Sequence, residues 1–151
     1  MNFTKFFDTQ KKLNENLAID ESLSQYKVFA RKHVELYVEI SELAKITQCY
    51  NYRVNTEIEF DKQLTLKTYI TCLREIISLS LDNEHYDLSD IPVEESEDCL
   101  SDQFLNLYID VNDIIMSPSK DHFETILQDF ISLGLSLGLT ESMITNEFCN
   151  I

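Results

Sequence analysis

Glycine and proline are scarce in this sequence, which has only two of each among 151 residues. Tight hairpin turns depend heavily on these residues, so their scarcity disfavours an all-β fold. Hydrophobic residues still make up 44% of the chain, enough to build an ordinary core. The composition therefore predicts a single all-α domain over residues 1–151, in which polar segments join the helices of a bundle.

Basic residues are also few. Twelve Lys and Arg stand against 27 Asp and Glu, which gives a net charge of −15 and a pI near 4.4. Such a chain repels phosphate backbones, so we expect no nucleic-acid partner. The sequence has no apolar run near the roughly 18 residues of a membrane span and no secretion signal. We expect a soluble, cytoplasmic protein without a membrane partner.

Recognised metal and nucleophile patterns are missing too. The sequence contains no CxxC pair, HExxH, GxSxG or Gly-rich phosphate loop. We expect the cysteines to be reduced thiols and the histidines to be surface or structural residues. These residues are Cys49, Cys72, Cys99, Cys149, His33, His85 and His122.

Hydrophobic residues recur at helical spacing along most of the chain. Ser101 and Thr140 are predicted to cap helices, and Gly138 to end one. The predicted helices run from Asn2 or Thr4 to about Ile19, His33–Thr47, Gln63–Leu81, about Asp102–Met116, about Lys120–Leu137, and from Thr140 to near Cys149. The segment Gln48–Lys62 is predicted to be mostly loop. The polar stretch Asp82–Asp102 is predicted to be an exposed, mobile connection, with room for a short helical turn.

The predicted helix His33–Thr47 carries three glutamates on one side. At about 100° per residue, Glu35, Glu39 and Glu42 fall within a band of roughly 60°. Like charges at these spacings repel by about 0.2–0.5 kcal/mol per neighbouring pair. A hard cation such as Mg²⁺ would relieve that repulsion, although a solvated acidic face fits the same pattern.

The helix Gln63–Leu81 has polar residues opposite its apolar stripe. If it ran antiparallel to the acidic helix, Thr68, Thr71 and Glu75 could face Glu39 and Glu42. Only Glu75 would then add a carboxylate, so this sequence pattern alone describes a sparse metal site.

Two further residues are candidates for ligand contacts. Gln10 lies beside the apolar stripe of the first helix and could line a pocket. Asn51 belongs to an aromatic and polar loop that could close over a ligand, or could only attach the loop to the core.

Several stretches resemble the all-α dimeric dUTPases, which are MazG-like nucleotide pyrophosphohydrolases. They are FFDTQKKLNENL (Phe6–Leu17), VELYVEISELA (Val34–Ala44), TYITCLREIISLSL (Thr68–Leu81) and, more weakly, FISLGLSLGLT (Phe130–Thr140). VEISELA looks like the first ExxE metal motif of that family, at Glu39 and Glu42. The resemblance implies a helical bundle, a homodimer, and Mg²⁺ that assists water in cleaving dUTP to dUMP and pyrophosphate.

The chain departs from the family pattern at several positions. Thr68 and Thr71 stand where the second metal motif has Glu and Asp, and Ile46 replaces a further acidic residue. Tyr50–Val54 stands where the family has the loop motif FKxWS and lacks its Lys, Trp and Ser. The family's basic C-terminal run is reduced to Thr145–Glu147. Hydroxyl groups cannot neutralise Mg²⁺ as carboxylates do.

The resemblance and the residue pattern together give a specific expected site. Glu39 and Glu42 are the expected catalytic residues, and they share Mg²⁺ with Glu35 and Glu75. Gln10 and Asn51 are expected to contact the substrate.

The sequence is compatible with two functions. One is a dUTP or dNTP pyrophosphohydrolase with impaired or lost catalysis, and with Mg²⁺ as cofactor if it is active. The other is a non-catalytic homodimeric scaffold whose acidic surface engages a protein regulator.

Overall fold

Six α-helices form the protein in a computed structural model that describes residues 1–54, 59–85 and 87–151. They are α1 (Thr4–Glu15), α2 (Gln25–Thr47), α3 (Lys62–Asp82), α4 (Leu100–Met116), α5 (Lys120–Ser136) and α6 (Glu141–Cys149). Within these ranges the only β-type pairing is an isolated bridge between Asn2 and Asp90. The predicted all-α fold is confirmed. No helix in the described ranges has the length and apolar character needed to cross a membrane.

Helix α2 begins earlier than predicted. The Ser24 hydroxyl accepts the N–H of Lys27 at 3.2 Å and caps the helix, so the acidic stretch is the second half of a 23-residue helix. Helix α1, in contrast, ends at Glu15 rather than near Ile19. The prediction of a helix from His33 was wrong because apolar periodicity gave less information than this cap.

Other helix ends follow local chemistry. Asp61, Ser119 and Thr140 cap α3, α5 and α6 with their side chains, which confirms Thr140. The predicted cap at Ser101 was wrong, since Cys99 occupies that position and α4 begins at Leu100. Gly138 has φ +80° just beyond α5, a conformation that suits glycine.

Helix α3 lies at the centre of the bundle and packs against α1, α2, α5 and α6. Its Tyr69 is fully buried, stacks on Phe130 with ring centroids 4.4 Å apart, and donates its hydroxyl hydrogen to the Phe130 carbonyl at 2.9 Å. A Cβ atom at Gly134 would lie 2.6 Å from the Tyr69 hydroxyl oxygen. The absence of a side chain at Gly134 therefore sets how closely α5 approaches α3.

The segment between α3 and α4 is partly buried, which corrects the prediction of an exposed connection. Leu88 and Ile91 join the core. The N–H of Phe3 donates to the Ser89 carbonyl at 2.8 Å, and the N–H of Ile91 donates to the Met1 carbonyl at 3.2 Å. The N-terminus therefore holds this segment against the bundle.

The segment after α2 agrees in its limits with the predicted loop. Helix α2 ends at Thr47, as predicted, and Gln48 follows with φ 49°. Lys62 is already helical, so the connection is residues 48–61, of which 55–58 lie outside the described residues.

Candidate functional site

The packing of α2 against α3 brings three glutamates together. Burial, followed by the charges of Glu35 and Glu39, raises the pKa of Glu75 from an ordinary 4.5 to about 8. Glu75 Oε2 is buried and has no hydrogen-bond partner in the described part of the chain. The predicted approach of Glu75 to the acidic helix is thus present, and one carboxylate oxygen there is unsatisfied.

Glu42 lies at the edge of this group. It lines a shallow groove on the outer side of α2 together with Val34, Val38 and Lys45. It does not contribute to the pKa shift of Glu75. The structure therefore joins Glu35, Glu39 and Glu75, and leaves Glu42 one helical turn away, facing outward.

A pocket of about 250 Å³ opens beside these glutamates. Residues from α2 and α3 supply most of its lining, and Leu17 from the connection after α1 completes it. The lining residues are Leu17, Lys32, Glu35, Thr71, Arg74, Glu75, Ser78 and Leu79.

Arg74 is a residue of this pocket that the sequence analysis did not single out. Its Nη2 donates to the Phe148 carbonyl at 2.9 Å, and the guanidinium lies 5.4 Å from the centre of the Phe148 ring. Its Nε is buried without a hydrogen-bond partner among the described residues. The signal in the sequence was the single cation in the stretch Thr68–Leu81 of α3. The pocket therefore holds unsatisfied groups of both charge types.

Gln10 is buried on α1, close to the α3 side of the pocket. Its amide nitrogen donates to Asn14 Oδ1 at 2.8 Å, and Ser78, which lines the pocket, donates to the same oxygen at 3.2 Å. Gln10 Oε1 is buried and has no partner in residues 1–54, 59–85 and 87–151. Gln10 therefore carries a free hydrogen-bond acceptor at the seam between α1 and α3.

Asn51 occupies a different part of the molecule. It is half-buried in the segment after α2, and its Oδ1 accepts the N–H of Arg53 at 3.1 Å. The pocket lined by Glu35 and Glu75 does not include it.

The donor chemistry of the pocket fits a hard cation, since Glu35 and Glu75 both line it and one oxygen of Glu75 is unsatisfied. Across the described ranges, however, no three His, Cys, Asp or Glu side chains are already arranged to hold a metal ion. Thr71 is exposed, and its hydroxyl donates to the Lys67 carbonyl at 3.1 Å. A cation at this pocket would therefore be bound by two or more of the glutamates, and water molecules would complete its coordination.

Comparison with known proteins identifies the family. A protein-family model described as dUTPase matches residues 2–150. No curated protein and no solved structure gives a significant match. Because the match covers nearly the whole chain, the protein belongs to this dUTPase family, which confirms the resemblance seen in the sequence.

Proposed function

From this membership in the dUTPase family, we propose that the protein binds dUTP or another nucleoside triphosphate with Mg²⁺ and hydrolyses it weakly. The observation that carries the proposal is Glu75, whose Oε2 is buried without a partner among the described residues and whose pKa is raised by burial and by the charges of Glu35 and Glu39. No cation is among the causes of that pKa shift, and neighbouring carboxyl groups repel one another unless a ligand relieves their repulsion.

The proposed metal ligands are Glu35, Glu39, Glu42 and Glu75. Mg²⁺ bound there would neutralise triphosphate charge and lower the pKa of a water molecule that attacks phosphorus. Glu39 and Glu42 are the proposed catalytic residues, because their carboxylates would also orient that water. Glu42 would have to turn inward from the groove that it lines.

Gln10 and Asn51 are the proposed substrate contacts. The buried Oε1 of Gln10 can accept a hydrogen bond from a ring N–H, such as that of uracil. Asn51 would approach from the segment after α2. Such polar contacts orient a base. A base without this N–H would bind more weakly, because it would leave Gln10 Oε1 buried without a hydrogen bond.

We expect hydrolysis to be weak because α3 supplies few negative charges to a metal ion. Thr68 and Thr71 stand where the family's second metal motif has Glu and Asp, and their hydroxyls add no negative charge. Arg74 brings a cation into the same pocket, which lowers its affinity for Mg²⁺. We therefore place the defect in metal affinity.

The second candidate function is a non-catalytic homodimeric scaffold that engages a protein regulator. It is favoured by the lack of a ready metal geometry in the described ranges and by Arg74 in the pocket. This candidate requires the dimer but no nucleotide.

A thermal melt with and without Mg²⁺ and α,β-imido-dUTP tests the proposal. Binding at 100 times Kd stabilises the folded state by about 2.7 kcal/mol, so Tm should rise only when both components are present. Glu39→Gln should abolish the rise, whereas Glu141→Gln, at an exposed glutamate on α6, should preserve it. No shift at millimolar ligand would contradict nucleotide binding and leave the scaffold.

A further inference from the structure

Arg74 lines the candidate pocket without a carboxylate partner. Two ion pairs occur among the residues that the structure describes, and neither includes Arg74. Lys32, which also lines the pocket, pairs with Asp82. Glu35 and Glu75 belong to the same lining, yet neither lies within ion-pair distance of the guanidinium. No direct contact with a carboxylate therefore offsets the charge of Arg74.

The end of α6 holds the guanidinium of Arg74 in place. The Phe148 carbonyl accepts a hydrogen bond from its Nη2, and the Phe148 ring lies beside it. Phe148 is itself fully buried, and its ring packs on that of Phe6 with centroids 4.8 Å apart. A guanidinium that is already held at one nitrogen loses less conformational freedom on binding a ligand than a free surface arginine does. Arg74 is thus preorganised beside the pocket.

The guanidinium keeps unused hydrogen-bond donors after this contact. An arginine side chain has five N–H groups, and the Phe148 carbonyl is the only acceptor that the described residues offer to Arg74. Its Nη1 makes no hydrogen bond with them and is not buried, whereas its Nε is buried without a partner. The planar guanidinium matches pairs of oxygen atoms on a phosphate group. A phosphate would therefore supply acceptors of the kind that Arg74 lacks.

We infer that Arg74 binds a phosphate group of the nucleotide directly, without the help of Mg²⁺. The inference rests on the proposed function and adds a substrate-binding residue to the glutamates of the same site. Because the chain carries a net charge of −15, an approaching phosphate is repelled by most of the surface. A cation that no carboxylate has paired is the group that can offset this repulsion within the pocket.

The charge of Arg74 acts in opposite directions on the two ligands of the site. A fixed cation attracts phosphate oxygens and repels Mg²⁺. Removing the charge should therefore weaken the binding of a metal-free phosphate chain and leave the binding of Mg²⁺ alone unchanged or tighter. A residue that only anchored α6 would not separate the two affinities in this way. The opposite signs thus distinguish a binding role from an anchoring role.

The test uses inorganic tripolyphosphate in EDTA, because this probe offers phosphate groups without a base or a metal ion. Arg74→Gln removes the charge, and Arg74→Lys keeps the charge but loses the planar fork. Lys62→Gln is the matched control, since Lys62 is exposed at the start of α3. Tm is measured against tripolyphosphate concentration at constant ionic strength, relative to the unliganded Tm of each variant. Circular dichroism confirms folding, and Mg²⁺ alone is titrated separately without EDTA.

Tripolyphosphate should raise the Tm of the wild type and of Lys62→Gln equally. Arg74→Gln should need at least a tenfold higher concentration for the same shift, and Arg74→Lys an intermediate one. Mg²⁺ alone should stabilise Arg74→Gln at least as well as the wild type. No shift in the wild type, or an equal shift in Arg74→Gln, overturns the inference. If Arg74→Gln does not fold, an affinity of Arg74→Lys equal to that of the wild type overturns it.

The proposed function is read independently, from the wild-type melt with Mg²⁺ and α,β-imido-dUTP. A shift in that melt together with a negative tripolyphosphate result removes the role of Arg74 and leaves nucleotide binding standing. An Arg74-dependent tripolyphosphate shift without any response to the nucleotide analogue keeps the phosphate contact and overturns the proposed function.

Discussion

Asp110 on α4 faces Asp129 on α5 within the packed seam between these helices. Asp110 is 8% exposed, and its Oδ2 has no hydrogen-bond partner among the described residues. Burial, then the charge of Asp129 and a hydrogen bond with it, and finally the charge of Asp113, raise the pKa of Asp110 from 3.8 to about 7. No cation contributes to this shift, so the two carboxyl groups are compatible mainly when they share a proton.

This pair predicts that stability falls as pH rises. The folded state binds the proton more tightly than the unfolded chain, so the stabilisation is complete below about pH 4 and is lost as pH rises through about 7. At about 1.36 kcal/mol per pKa unit, the loss is at most about 4 kcal/mol. Urea unfolding between pH 5 and pH 8 measures it. Asp110→Asn should reduce the slope and leave the part that is due to the raised pKa of Glu75, whereas Asp8→Asn, at an exposed carboxylate on α1, should leave the whole slope in place.

Gly134→Ala is expected to destabilise the protein. The new Cβ would lie 2.6–2.9 Å from three atoms of the Tyr69 side chain. The Tyr69 ring is buried and stacks on Phe130, so it has little room to move away. Overpacking of this kind costs about 1–3 kcal/mol, measured as a lower free energy of unfolding. In a Tyr69→Ala background the same substitution should cost much less, because the clashing ring is gone. An equal cost in both backgrounds would show that this contact does not limit the approach of α5.

Restoring carboxylates on α3 should strengthen metal-dependent binding. Thr71→Asp, alone or with Thr68→Glu, would add negative charge opposite Glu39. We expect at least a tenfold lower Mg²⁺ concentration for half-maximal stabilisation with α,β-imido-dUTP, and faster pyrophosphate release from dUTP. The control is Gln63→Glu, which adds the same charge at an exposed position on α3. An equal response in the control would mean that net charge, and not position, is responsible.

Gln10→Met separates a structural role of this residue from a binding role. Methionine has a similar volume and removes the buried, unsatisfied Oε1, whose burial costs about 1–3 kcal/mol. The variant also loses the hydrogen bond from the Gln10 amide nitrogen to Asn14, and the two effects oppose each other. The unliganded variant should therefore be about as stable as the wild type in urea, while the Tm shift caused by Mg²⁺ and the analogue should be lost. A stable variant with an unchanged shift would remove Gln10 from the proposed substrate contacts.

Much of the fold could be predicted because the helices carry their signals locally. The apolar stripe of α3, the cap at Thr140 and the glycine after α5 all depend on neighbouring residues. The errors arose where local signals were weak. Leu88 and Ile91 are isolated apolar residues in an acidic stretch, and only their contact with the N-terminal residues buries them.

The candidate site could likewise be predicted only in part. The sequence alone placed Glu35 and Glu39 on one side of a helix and Glu75 on the polar side of another, because helical periodicity fixes which residues share a face. Only the packing of α2 against α3 decided that these three carboxyl groups meet, that Glu42 faces outward and that Arg74 enters the pocket. Distances between helices depend on how side chains fill the space between them, and no periodicity within one helix contains that information.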